Sequence, residues 1–111
     1  MRGKSVMPLS TTETFKAKLQ SHNRLVVPKI LRWRHRIDAG EVLAVYVRVH
    51  ESRNYKEEKF VAKMSVDGRL TVPKITMQIL TQREGNDLTG AIFEVTINPV
   101  YDAEQSTAEK S

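Results

Sequence analysis

The chain has 111 residues, 40% hydrophobic and 28% charged, a size and balance that suit one globular domain and exclude pervasive disorder. It contains no cysteine, so neither a disulfide framework nor a thiolate metal site is available. The net charge of +5 admits anionic partners and is unevenly spread: residues 15–59 hold eleven Lys and Arg against five Asp and Glu, whereas residues 60–101 hold four against four.

Taken from the N-terminus, residues 1–13 are polar and aperiodic and read as a flexible tail, outside a single domain over 14–101. They lack the apolar core of a signal peptide, and no apolar run reaches the ~20 residues that cross a bilayer, so a cytoplasmic protein with no membrane partner is expected. From Phe15 apolar and polar residues alternate through Ala17 and Leu19, with Lys16 and Lys18 between them, as in a half-buried strand. His22-Asn23 marks a tight turn, and Arg24-Leu25-Val26-Val27 forms the next strand. Pro28 ends the ladder and opens a helix, expected to run to Ile37. On a 100° wheel Ile30, Trp33 and Ile37 share the stripe expected to face the core, Leu31 lies at its margin, and Lys29, Arg32 and Arg36 gather opposite. Val42–Val49 is a β-branched strand, and Glu51–Lys59 is a charged connector.

The chain then repeats itself. FKAKLQSHNRLVVPKI, Phe15–Ile30, aligns without gaps to FVAKMSVDGRLTVPKI, Phe60–Ile75, with nine identities in 16 positions. The repeats are taken as residues 15–50 and 60–99. Asp67-Gly68 is the second turn, Arg69–Val72 the second short strand, and Pro73 to about Gln82 the second helix, with Ile75, Ile79 and Leu80 for burial. Gly85 keeps the offset of Gly40, after which Asn86–Gly90 reads as a loop insertion before the strand Ala91–Ile97. Residues 102–111 form a second flexible tail. Two copies and no more predict a closed pseudodimer rather than a stacked solenoid: a mainly β fold with two short helices, closed as a six-stranded pseudo-twofold barrel and monomeric.

Gly68-Arg69-Leu70-Thr71-Val72-Pro73-Lys74, after a short strand and before a helix, a glycine and another strand, resembles the AbrB-type DNA-binding module, whose barrel is built from swapped hairpins. The likeness covers about Phe15 to Ile97 as two tandem copies. No separate fourth strand is visible in either copy, which is more similar to the cradle-loop barrels called RIFT barrels. The resemblance implies a barrel complete in one chain and, from its AbrB side, duplex DNA as partner and a role in transcription regulation. By position it implies DNA-facing roles for Lys18 and Lys63 on the first strands, for Arg24 and Arg69 after the turns, and for Arg32 at the helix start, where the second copy has Met77.

Read from the residues alone, Arg24 and Arg69 either contact DNA or pair with a nearby carboxylate. Lys29, Arg32 and Arg36, together with Arg34 and His35, form the densest positive charge, suited to phosphates or simply to a solvated helix face. Trp33 either stacks on a base or, as part of the apolar stripe, packs in the core, which is the expectation; Arg34 is expected to lay its stem on the core, and Tyr55 to be an exposed aromatic. Catalysis is not expected, and neither are a metal or a cofactor. His22, His35 and His50 show no metal-ligand spacing, and isolated glycines leave no phosphate-cradling loop of the kind riboflavin kinase would need. The alternative to DNA binding is a non-catalytic module that takes a protein or a small nucleotide-like ligand at the barrel mouth, near Asn86–Gly90.

Overall fold

The computed structural model describes residues 12–99. Apart from Thr12 and Glu13, the segments read as tails lie outside the described residues, and Glu13 already belongs to the first strand. In chain order the elements are β1 (Glu13–Lys18), a 3-10 turn (Ser21–Asn23), β2 (Arg24–Val26), α1 (Lys29–Arg34), β3 (Val42–Val49), β4 (Glu58–Lys63), β5 (Arg69–Thr71), α2 (Lys74–Glu84) and β6 (Ile92–Pro99). The structure is mainly β with two helices. No helix among the described residues is long and apolar enough to cross a membrane.

The strands form a four-stranded antiparallel sheet, in the order β1-β6-β3-β4, and a two-stranded ribbon of β2 and β5. They do not close into the continuous six-stranded barrel ladder that the repeat suggests. The reason is local: after Leu19 and Met64 the chain bends out of its sheet, and each bend is spanned by one main-chain bond, Gln20 N–H to Arg24 O at 2.9 Å and Ser65 N–H to Arg69 O at 3.0 Å. Strands of three residues, each followed by one valine and then a proline, cannot extend a ladder further.

The internal symmetry is carried by the backbone. Val27 N–H donates to Gly68 O and Val72 N–H to Asn23 O, both at 2.8 Å. Gly40 N–H donates to Met64 O as Gly90 N–H does to Leu19 O, so the counterpart of Gly40 is Gly90 and not Gly85. The extra residues of the second copy therefore lengthen the helix instead of the loop: α2 has 11 residues against 6 in α1, and Gly85, at φ 81°, caps it with its N–H on Thr81 O. α1 stops early, with Arg36 already in the left-handed region at φ 53°.

Both sheets turn one face to the same core. Leu25 and Leu70 stand opposite each other on the ribbon, are fully buried, and pack with Leu43, Val45, Phe93 and Val95 of the large sheet. Each contributes about 1.5–3 kcal/mol by leaving water. The helices turn a different stripe inward from the one expected. Leu31 and His35 are buried in the first repeat, Thr76 and Leu80 at the same places in the second, while Ile30, Ile75 and Trp33 are exposed. The proline that fixes the exit from each ribbon strand sets the rotation of the helix behind it, and the fewer than two turns of α1 give the apolar pattern too little length to override that. Ile37 is buried, but from beyond the end of α1.

Candidate nucleic-acid interface

In the ribbon Leu25 and Leu70 point inward, so Arg24, Val26, Arg69 and Thr71 share the outward face. Antiparallel register sets Arg24 against Thr71 and Val26 against Arg69, which brings the equivalent arginines of the two repeats onto one short surface. Between them lies Asp67, whose Oδ2 is 3.3 Å from Arg69 Nη1. The Ser65 hydroxyl donates to the Asp67 carboxylate. That hydrogen bond first, and the charges of Arg69 and Arg24 after it, hold Asp67 below its ordinary carboxylate value. Arg69 thus makes the carboxylate pairing that the sequence leaves open as the alternative to DNA contact, with a third of its side chain in water. Arg24 reaches His22 Nδ1 through Nη2 at 3.5 Å, and its Nε is buried without a hydrogen-bond partner among the described residues.

Arg32 crosses from α1 to the same turn. Its Nε donates to Val27 O at 3.2 Å, and its guanidinium lies flat against Gly68. A Cβ on Gly68 would stand 2.5 Å from Arg32 Cζ, and φ at Gly68 is 77°, so the glycine supplies both the turn conformation and the seat. Arg24, Arg32 and Arg69 therefore surround one turn, Ser65–Arg69, that belongs to the second repeat. Lys29, three residues before Arg32 on α1, is exposed, and so is Arg36. Arg34 lies 4.0 Å from Glu13, to which the buried His35 also binds at 2.8 Å through Nε2.

Lys18 and Lys63 do not join this cluster. They are exposed on the outer face of the four-stranded sheet, in register with Ile92 and Val42, and that face is turned away from the ribbon because both sheets commit their other faces to the core. Trp33, assigned to the core from its helical stripe, has 71% of its surface exposed, and Lys29 Nζ stands 5.9 Å from its ring centre. Tyr55 is exposed as expected, with Arg48 against its ring.

The second repeat lacks the arginine seat. Met77 replaces Arg32 and Asn23 replaces Gly68, and here an open groove of about 650 Å³ is lined by Asn23, Met77, Gln78, Ile79 and Asp87. Sequence reasoning missed both the groove and the role of Gly68. The visible signal was the paired substitution, Gly to Asn and Arg to Met, at equivalent places in the two copies.

No family model matches the chain, and no curated protein matches it. Among solved structures, the solution structure of PHS018 from Pyrococcus horikoshii is similar, with a TM-score of 0.62 at 21% sequence identity over 78% of this chain and 88% of that chain. That likeness carries the fold.

Proposed function

We propose that this chain is a DNA-binding, transcription-regulator-like protein of the cytoplasm, a cradle-loop variant of the AbrB type whose first repeat contacts duplex phosphates. The observation that carries the reading is the convergence of Arg24, Arg32 and Arg69 from three elements on one turn, with Lys29 exposed on the helix beside it and Arg36 exposed just past the end of that helix. Planar guanidinium groups held in place by a carbonyl and a carboxylate are pre-ordered for phosphate oxygens. Lys18 and Lys63, on the other face, are left outside the duplex footprint.

The test is an anisotropy titration of a labelled duplex across salt. Binding at about 50 mM salt should weaken steeply by about 200 mM. Lys29→Ala with Arg36→Ala, both at exposed positions, should lower affinity and cut the salt slope by about two, as for two lost phosphate contacts. Lys74→Ala on the second repeat should change little. No complex at micromolar protein and low salt would end the proposal.

The groove beside α2 favours a second reading, a small ligand combining an apolar surface with hydrogen-bonding edges, since amide and carboxylate groups there alternate with Met77 and Ile79. Chemical-shift changes confined to Asn23, Gln78 and Asp87 on adding nucleotides would support it.

A further inference from the structure

Trp33 is placed where the fold has no use for it. The inward side of α1 is supplied by Leu31 and His35, and Trp33 stands on the outward side with 71% of its surface in water. Ile30, one turn before it, is 57% exposed. The second repeat is an internal control. It builds the same strand-turn-strand-helix unit with Gln78 at the place of Trp33, so the backbone does not require an aromatic ring there. The change is not isolated: Met77, Ile79 and Thr81 stand where the first repeat has Arg32, Arg34 and Arg36. The ring and these three arginines therefore occur together in one repeat and are absent together from the other, which keeps only Lys74 at the place of Lys29.

A large exposed indole costs free energy in water, and a flat π surface with a lysine against it, in the most basic stretch of the chain, matches one chemistry closely: an unpaired nucleobase with its phosphates. Lys29 holds its ammonium over one face of the indole, 5.9 Å from the ring centre, which leaves the opposite face for a base. Arg34 and Arg36 follow the ring by one and three residues and are exposed, and among the described residues the counter-charge to Arg34 is Glu13 at a long 4.0 Å. A base inside an intact duplex offers no open face to such a ring, whereas a single strand does.

We infer that Trp33 stacks on an unpaired base, so that this protein engages single-stranded or locally opened nucleic acid through α1 while the arginine cluster holds phosphates. The inference deepens the proposed DNA-binding reading and rests on it. Trp33 is the one tryptophan of the chain, so its emission reports on this contact alone. The experiment titrates the full chain with a short oligothymidylate, following Trp33 fluorescence, in parallel with anisotropy of labelled oligothymidylate and labelled duplex. Expected are saturable quenching that salt reverses, and roughly tenfold weaker binding of the single strand by Trp33→Ala, with Trp33→Phe close to wild type and Lys74→Ala unchanged. Anisotropy that reports binding while the emission stays constant and Trp33→Ala binds as wild type would overturn the stacking contact and leave DNA binding standing. Absence of any complex with either nucleic acid would overturn both.

Discussion

His35, the residue that caps α1, occupies the place that Leu80 fills inside α2, and the difference shows how one residue alters a shared design. The imidazole is 8% exposed and reaches Glu13, whereas Leu80 needs no partner. Glu94 shows the same dependence on a neighbour. Its carboxylate accepts from His50 Nδ1 and lies against Arg48 Nη2, each at 2.8 Å, and the hydrogen bond from His50 first, then the charge of Arg48, hold it below the ordinary glutamate value of 4.5. A carboxyl whose folded value is depressed stabilises the fold fully above its unfolded value, and the contribution is lost as pH falls through the folded value. Urea midpoints should therefore fall between about pH 5 and about pH 3, and Glu94→Gln should reduce that fall. Asp67, depressed for a similar reason, contributes to the same loss. Neither histidine–glutamate pairing was legible in the sequence, because His35 and Glu13 lie 22 positions apart, and His50 and Glu94 44.

At the scale of elements, each repeat ties its helix to its first strand through an equivalent glutamate. Glu13 holds Arg34 and His35, and Glu58 holds Arg83 Nη2 at 2.5 Å. The Arg83 pair is more than four-fifths buried on both sides, so removing one partner leaves a charge poorly solvated. Arg83→Ala should destabilise by about 1–3 kcal/mol, read from denaturant unfolding. The first strand was legible from alternation and β3 from its β-branched content, and β3 falls on Val42–Val49, as the sequence reading has it. The helix faces were not, because on fewer than two turns a two- or three-residue apolar stripe fits either side, and the attachment at Pro28 decides.

For the whole molecule, the pairing pattern ties the repeats into one cooperative unit. β3 pairs with β6, β1 with β6, and β2 with β5, so every sheet contains strands of both halves. The register of the central pair is itself symmetric, with Leu43 opposite Pro99 and Val49 opposite Phe93. A chain of residues 12–52 alone would leave Leu25, Leu43 and Val45 without their opposite layer. It should show the narrow amide dispersion of an unfolded chain in NMR, and mixing it with residues 53–99 should restore the dispersion of the intact protein. A well-dispersed monomeric spectrum from the fragment alone would contradict this account.

The amino-acid sequence by itself determined the duplication, the strand-turn-strand-helix order and the imbalance of charge between the halves, since identity at fixed spacing, turn chemistry and composition are all local in the chain. Tertiary structure decided which arginines meet, that Trp33 faces water, and that the strands part into two sheets. Those outcomes depend on how a helix is rotated by its attachment and where a ladder breaks, which are set by packing between residues far apart along the chain.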